Sequence, residues 1–411
     1  MSPKTTLTPE TLAPILAALD DADEEFSARN PGPSDSRRPV HTVYGGAHLF
    51  KADTAAKLGQ LACRAFEASL GDAAALARVT GMDSALAAKV RPRVAGKLAR
   101  EAVEDFRIDF EDGYGVRSDD AEDADAERAA RETADGLRRG TLPPFLGIRI
   151  KPLSRDQAVR AARTLDLYLT ALLQATRGRL PGSFVVTLPK VAFPEQVLAL
   201  SDILERIERA FVLGAGTLKV ELMLETPSAL LGPDGAAAPR LLAEEAHGRC
   251  VSMHLGPYDL QASLDVDSAS SSLDHPACAW ALRLAAASLG GAGIPLSDGP
   301  VATLPLGDDA AAVEAALRLH YRQVRRALAE GIGRGWDLHP AQLGTRYAAV
   351  YAHYLEGLDS ARARLKRFTE GQAKATAAGT VFDDAATARG LTNFFAQGLA
   401  CGALTPEEAD I

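Results

Sequence analysis

Two acidic residues, Glu225 and Asp259, each follow a short β-rich run and are separated by about one strand–helix repeat. If both runs are neighbouring strands, their ends bring the two carboxylates together, and like charges repel unless a cation lies between them. Oxygen ligands without a nearby His or Cys favour Mg²⁺ or Mn²⁺ over zinc. We therefore predict that Glu225 and Asp259 are metal ligands. The alternatives are a charge at a helix N-terminus for Glu225 and a helix cap for Asp259.

Arg149 lies inside an otherwise apolar run, GIRI (147–150), where an arginine is rarely buried without a partner. Its guanidinium suits a carboxylate or an enolate oxygen, so we expect a catalytic and substrate-binding role. The structural alternative is a salt bridge to Glu111 or Asp112. The functional and the structural roles are compatible with each other. We expect Glu111 and Asp112 to hold the waters of the metal or accept a proton; the alternative is a solvated acidic turn.

Three further residues end β-rich runs: Lys190, Asp298 and His339. We expect them to bind substrate. Lys190 would steer an anion, with a Schiff-base lysine and a surface lysine as alternatives. His339 would act as a general base or a hydrogen-bond donor, and a purely structural histidine is the alternative.

These residues need a scaffold that gathers strand ends, and the sequence predicts one. Eight short β-rich runs alternate with helical patterns, which indicates a parallel sheet and, at eight repeats, a closed (β/α)8 TIM barrel. An open doubly wound sheet is the alternative, but no G-x-G-x-x-G or Walker motif is present. The runs occupy residues 40–44, 106–111, 145–150, 184–189, 218–225, 250–256, 294–298 and 335–340.

Three regions follow from this pattern. Residues 1–39 form an N-terminal helix, capped by Thr8 with Pro9 in its first turn, and a linker. Residues 40–345 form the barrel, and residues 346–411 form a C-terminal helical extension. The fold class is therefore α/β, a TIM barrel with helical extensions at both ends.

Composition excludes several classes of protein. The 411 residues are 47% hydrophobic and carry a net charge of −9, which argues against disorder and against nucleic-acid binding. The sequence contains no run of about 18 apolar residues, so no membrane span is predicted. The acidic N-terminus does not match a signal peptide. Four scattered cysteines without a C-x-x-C pair favour the cytoplasm.

The same residues resemble those of a known superfamily, which comprises the citrate lyase beta subunit, malyl-CoA lyase and the HpcH/HpaI-type aldolases. The family's "DLED" strand is similar to IDFEDG (108–113), and its "R-x-N" strand is similar to RIK (149–151), where Lys151 replaces the asparagine. The other similar motifs are PK (189–190), LET (224–226), GPYD (256–259), DG (298–299) and LHPAQ (338–342). The resemblance spans about residues 40–345.

The resemblance implies Claisen or aldol chemistry on a 2-oxo or 2-hydroxy acid, free or as its acyl-CoA adduct. A divalent metal on Glu225 and Asp259, together with Arg149, would stabilise the enolate. The proton acceptor is left open between Asp112, a water and a residue from a neighbouring subunit.

Partners and rival functions complete the expectations. The basic stretch 89–100 either binds coenzyme A phosphates or is simply solvated. The terminal extensions lead us to expect a homo-oligomer. The alternatives to a lyase are a non-catalytic barrel that binds a small carboxylate, and a phosphoenolpyruvate-type phosphotransfer enzyme.

Overall fold

A computed structural model describes residues 6–32, 36–370, 376–378, 381–383 and 385–409. Eight strands form a closed barrel in which each strand pairs in parallel with the next, and the last pairs with the first. This confirms the predicted (β/α)8 barrel. The strands are β1 (His41–Gly46), β2 (Asp105–Asp109), β3 (Phe145–Arg149), β4 (Phe184–Leu188), β5 (Lys219–Leu224), β6 (Cys250–Leu255), β7 (Leu296–Pro300) and β8 (Arg334–Asp337).

Helices follow every strand and cover the barrel. Those before β8 are α1 (Pro9–Arg29), α2 (Thr54–Leu70), α3 (Ala73–Thr80), α4 (Ser84–Glu101), α5 (Asp119–Arg139), α6 (Ala158–Thr176), α7 (Pro194–Ala210), α8 (Ala238–Glu245), α9 (Pro257–Ser263), α10 (Pro276–Ser288) and α11 (Ala310–Ala329). The C-terminal extension contains α12 (Leu343–Glu370), α13 (Ala385–Ala400) and α14 (Pro406–Ala409), with a short antiparallel pair, β9 (Thr376–Ala378) and β10 (Val381–Asp383).

The two faces of each strand have different chemistry. In β2, Phe106 and Ile108 belong to the apolar core, while Arg107 hydrogen-bonds to Thr187 of β4 and Glu221 of β5 across the barrel. Because successive side chains in a strand point to opposite faces, the alternation puts apolar residues outside, under the helices, and polar residues inside. The barrel interior therefore contains a layer of paired charges.

The extensions differ in how they pack. Thr8 caps α1 and Pro9 begins it, as predicted, but none of its residues is buried, and Ile15, Leu16 and Leu19 are exposed. By contrast, α12 is anchored by the buried Tyr347, whose hydroxyl donates to the Ala102 carbonyl at 3.1 Å.

The barrel–extension boundary predicted at 345/346 falls inside α12 (Leu343–Glu370), and the three-part division stays a prediction. None of the helices in the described residues is both long enough and apolar enough to cross a membrane.

Candidate functional site

Six of the predicted site residues meet at the carboxyl end of the barrel. They come from five consecutive strands, β2 to β6, and from the loops and the helix that follow them. Each strand delivers its residue at its last position or within a few residues beyond it, as expected for the end of a TIM barrel that carries active sites. The six are Glu111, Asp112, Arg149, Lys190, Glu225 and Asp259.

Lys190 lies at the centre of this group. Its ammonium contacts the Glu111 carboxylate and lies 3.3 Å from Asp112 Oδ2 and 3.7 Å from Asp259 Oδ1. Its backbone N–H donates to Glu225 Oε1 at 2.5 Å. Lys190 adopts φ +50°, a left-handed conformation that is uncommon for a residue other than glycine and that occurs preferentially at functional sites. This one residue therefore contacts four carboxylates.

Glu225 is the most deeply buried acid of the group, with 1% of its surface exposed. Burial raises its pKa to about 7, and the negative charge of Asp259 adds to the rise. Gly256 makes room for it, because a Cβ on that residue would lie 2.2 Å from Glu225 Oε2. A second carboxylate near a buried, raised-pKa carboxylate leaves negative charge that a cation would neutralise.

The residues present fit a hard divalent ion that takes only two of its ligands from the protein. No group of three or more His, Cys, Asp or Glu side chains in the described part of the chain has the arrangement of a metal site. Glu225 and Asp259 would supply two carboxylates, and Mg²⁺ is commonly held by one or two carboxylates while waters and substrate oxygens complete its shell. Asp259 lies in the first turn of α9, whose N-cap is Gly256, so it is not the helix cap that the alternative expected.

Arg149 is held on its edges by carboxylates. Its Nε and Nη2 donate to the two oxygens of Asp109 at 2.7 and 2.5 Å, and its Nη1 lies 3.0 Å from Glu111 Oε2. Burial lowers the pKa of Arg149, but the charges of Asp109 and Glu111 together outweigh burial and the pKa is raised. The predicted salt bridge to Glu111 is present, but the main partner is Asp109.

Sequence reasoning missed Asp109 as a functional residue. Besides binding Arg149, its carboxylate accepts the backbone N–H of Glu111 at 3.0 Å and that of Gly113 at 2.8 Å. A Cβ on Gly113 would lie 2.5 Å from Asp109 Oδ2, so the turn after β2 needs glycine there. Asp109 thus fixes the loop that presents Glu111 and Asp112.

The two acids of that loop have opposite titration behaviour. Burial raises the pKa of Glu111 more strongly than Arg149 and Lys190 lower it. For Asp112, partial burial raises the pKa but Lys190 and Arg149 together outweigh it, and the pKa is lowered. Asp112 is also exposed, with 61% of its side-chain surface accessible. It is therefore an ionised carboxylate that a solute can reach.

Asp298 and His339 do not join the group. Asp298 lies in the middle of β7 and faces outwards, where its Oδ2 is 3.2 Å from Arg326 of α11. His339 caps a short 3-10 turn, and its Nδ1 accepts the Ala341 N–H at 3.1 Å. Their predicted substrate-binding roles are untested, but both have structural partners elsewhere.

Cavities occur at both ends of the barrel. One of about 610 Å³ adjoins the six-residue group and includes Glu111 and Asp112 in its lining. Another, of about 730 Å³, opens at the amino-terminal end, and its charged lining includes Arg107, Glu221 and Arg334. Those charges already pair with one another, with Arg107 Nη2 and Arg334 Nη1 each 3.0 Å from Glu221 Oε2. The charged groups at the amino-terminal end are therefore paired within the barrel, whereas the six-residue group at the carboxyl end has four carboxylates and two cations.

The basic stretch 89–100 forms most of α4 and pairs with acids of the same chain. Arg93 contacts Glu408 at 2.5 Å, and Lys97 lies 2.7 Å from Glu104. Lys151, which lies outside this stretch, donates to the Phe110 carbonyl at 2.7 Å. These pairs leave the stretch less suited to binding coenzyme A phosphates than its composition indicates.

Comparisons with known proteins agree with this fold. No curated protein matches the chain. The model of a family described as a domain of unknown function, DUF6986, matches residues 19–411. A citrate lyase from Burkholderia xenovorans LB400 is 20% identical, with a TM-score of 0.62 over 92% of this chain and 96% of that one. A Haloferax volcanii malate synthase, crystallised as a lead(II) complex, is 14% identical, with a TM-score of 0.50 over 90% of each chain.

Proposed function

The chain belongs to the DUF6986 family, and we propose that it is a divalent-metal-dependent carbon–carbon lyase acting on a 2-oxo or 2-hydroxy acid or its acyl-CoA adduct. The observation that carries the proposal is the meeting of Glu225, Asp259 and Lys190 at the carboxyl end of the barrel. The motif resemblance and the fold shared with a citrate lyase support the same reaction class.

Each residue has a role in the proposed site. Glu225 and Asp259 would hold Mg²⁺ or Mn²⁺, which when bound supplies Lewis-acid stabilisation of negative charge on substrate oxygens. Lys190 attracts the substrate carboxylate. Arg149 holds Glu111 in place and adds fixed positive charge beside the reacting group.

Proton transfer is assigned to Asp112. In the cleavage direction a base takes the proton of a substrate hydroxyl, the oxygen becomes a carbonyl as the carbon–carbon bond breaks, and the electron pair stays on the acid fragment as an enolate. Asp112 suits the role of base because it is exposed and its pKa is lowered, so it is ionised near neutral pH. The raised pKa of Glu111 makes that residue a poorer choice for a permanently charged base.

The assembly and its location belong to the same proposal. The exposed apolar residues of α1, Ile15, Leu16 and Leu19, support a homo-oligomer in which a second copy covers them. The free state of all four cysteines supports a cytoplasmic location.

The proposal is tested by turnover with and without metal. The wild-type protein, incubated with Mg²⁺ and a panel of 2-hydroxy acids, 4-hydroxy-2-oxo acids and their CoA adducts, should release a 2-oxo acid or an acyl-CoA. Glu225→Gln and Asp259→Asn should each lower the rate by about 10²–10³. Glu195→Gln, an exposed acid in the first turn of α7, is the matched control and should keep the wild-type rate.

Two results would count against a lyase. Wild-type rates in EDTA would remove the metal from the proposal. Calorimetric binding of a small carboxylate without turnover of any panel member would favour the non-catalytic barrel instead.

A further inference from the structure

Two aromatic rings lie beside Arg149 inside the mouth of the barrel. Tyr44 comes from β1 and Trp336 from β8, which pair with each other, and their ring centroids are 4.3 Å apart. The Arg149 guanidinium carbon lies 4.8 Å from the Tyr44 ring centroid and 5.5 Å from that of Trp336. These are cation–π distances, so the two rings hold the guanidinium in a fixed plane.

The rings, not the arginine, provide the accessible surface at this depth. Arg149 is 2% exposed, whereas Tyr44 and Trp336 are only partly buried. Tyr44 and Trp336 each lie two residues beyond Thr42 and Arg334, whose side chains hydrogen-bond to each other in the ionic layer, so both rings lie on the carboxyl-end side of that layer. A molecule that reaches this layer can therefore contact the rings, whereas the guanidinium is covered.

Tyr44 is fixed from beneath through its hydroxyl. The hydroxyl lies 3.5 Å from His254 Nδ1, and His254 Nε2 lies 2.7 Å from Glu221 Oε2. Burial lowers the pKa of His254 to about 4, so the ring is neutral and Nδ1 accepts from the phenol. Glu221 is in turn held by Arg107 and Arg334. The ionic layer below thus sets the angle of the Tyr44 ring.

The polar atom of each ring lies against protein. The Tyr44 hydroxyl contacts His254, and the indole nitrogen of Trp336 is buried without a hydrogen-bond partner among the described residues. What the mouth offers at its base is aromatic carbon, and Met223, whose sulfur lies 3.7 Å from Arg149 Nη1, adds to the apolar surroundings. The polar groups of the site, Lys190 and Glu225 among them, belong to the loops beyond the strand ends.

We propose that Tyr44 and Trp336 form an aromatic floor that contacts the apolar carbon end of the substrate, while its carboxylate and 2-oxygen face the loops. This rests on the proposed function and deepens it. The preferred ligand is a short 2-oxo acid with an uncharged end, such as pyruvate. Glyoxylate has no methyl group to bury, and the second carboxylate of oxaloacetate would lose hydration against carbon. One methyl group in such a pocket is worth about tenfold in binding.

The chain has two tryptophans, which makes the floor directly observable. Trp280 is an exposed residue of α10, so Trp280→Phe leaves Trp336 as the only indole. In this variant, with Mg²⁺ present, pyruvate should change the Trp336 emission, and calorimetry should give a dissociation constant about tenfold lower than for glyoxylate or oxaloacetate. The matched variant Trp336→Phe keeps Trp280 and a ring, so it should bind pyruvate without a fluorescence change.

Substitution of the floor gives a second readout that general loss of packing would not produce. Tyr44→Leu should weaken pyruvate binding about tenfold and leave glyoxylate binding within about twofold, and Tyr44→Phe should restore the difference because it keeps the ring.

The outcomes separate the floor from the function. Pyruvate binding by calorimetry with unchanged Trp336 emission, or tighter binding of oxaloacetate than of pyruvate, would overturn the floor and leave the lyase proposal standing. If none of the three acids binds in the presence of Mg²⁺, both the aromatic floor and the lyase proposal are overturned.

Discussion

Replacement of Glu225 by glutamine tests the electrostatics of the site independently of turnover. Glutamine keeps the shape of the side chain and removes its charge. In the metal-free protein, ionised Glu225 is buried beside Asp259, and its pKa rises from 4.5 to about 7. The folded state therefore holds this proton more tightly than the unfolded state does.

The sign and size of the effect follow from linkage. A carboxyl whose pKa is raised on folding contributes stability that is present below the unfolded pKa and is lost as pH rises through the folded pKa. Here that window runs from 4.5 to about 7. At about 1.4 kcal/mol for each pKa unit, the loss across it is roughly 3 kcal/mol. Glutamine does not titrate, so in Glu225→Gln this position adds no pH dependence to the free energy of unfolding.

The assay is urea unfolding of wild type and Glu225→Gln in EDTA at pH 5 and pH 8. Because part of the loss has already occurred at pH 5, the unfolding free energy of the variant relative to the wild type should rise by roughly 2.5 kcal/mol between pH 5 and pH 8. A constant offset from the buried amide cancels in this comparison. Mg²⁺ at pH 8 should stabilise the wild type and leave the variant unchanged, because only a ligand that binds the folded state adds stability.

The reasoning fails if the difference between the two proteins is the same at both pH values. It also fails if Asp259→Asn leaves the wild-type pH dependence intact, since the neighbouring charge of Asp259 is one of the stated causes of the raised pKa. Equal stabilisation of wild type and Glu225→Gln by Mg²⁺ would place the ion elsewhere.

Two further substitutions test the supports of the site. Gly256→Ala would put a Cβ 2.2 Å from Glu225 Oε2, so turnover with Mg²⁺ should fall by about 10²-fold while circular dichroism is unchanged; Gly333→Ala, which has no atom within 4 Å, should keep full activity. Arg149→Met leaves Asp109 buried without its cation and should destabilise the protein by about 3–5 kcal/mol in urea unfolding; a loss below about 1 kcal/mol would mean that the pair is not structural.

The barrel and the carboxyl-end group were accessible to sequence reasoning for one physical reason. In a parallel barrel every strand ends at the same rim. Charged residues that end different buried runs are therefore expected to lie close to one another. Glu225, Lys190 and Arg149 could be grouped in this way without knowledge of any distance. The convergence of their side chains then follows from the closed strand order.

Residues whose facing depends on strand register were harder to predict. The seventh run was expected at 294–298, with Asp298 at its end, but β7 spans Leu296–Pro300 and puts Asp298 mid-strand. This two-residue offset moves Asp298 away from the rim, and its side chain faces outwards to Arg326. His339 falls beyond β8, in a turn whose hydrogen bonds no strand pattern reveals.

The polar interior did leave a signal that strand-end reasoning does not use. In DFRIDFE (105–111), every second residue is charged, although a strand covered by helices on its outer face needs apolar residues only on that face. The period of two places Asp105, Arg107 and Asp109 inside the barrel. The same pattern in β8 places Arg334 and Trp336 inside.

This interior has a consequence for where chemistry can occur. The ionic layer formed by Asp105, Arg107, Glu221 and Arg334 contains two cations and two anions that pair with one another, and His254 links its Glu221 to the Tyr44 hydroxyl. A fully paired buried layer is costly to disrupt, because removal of one partner leaves an uncompensated charge. The layer therefore acts as a rigid base under the aromatic rings. Above the rings, carboxylates outnumber the ammonium that contacts them, and that imbalance is what a divalent cation would correct.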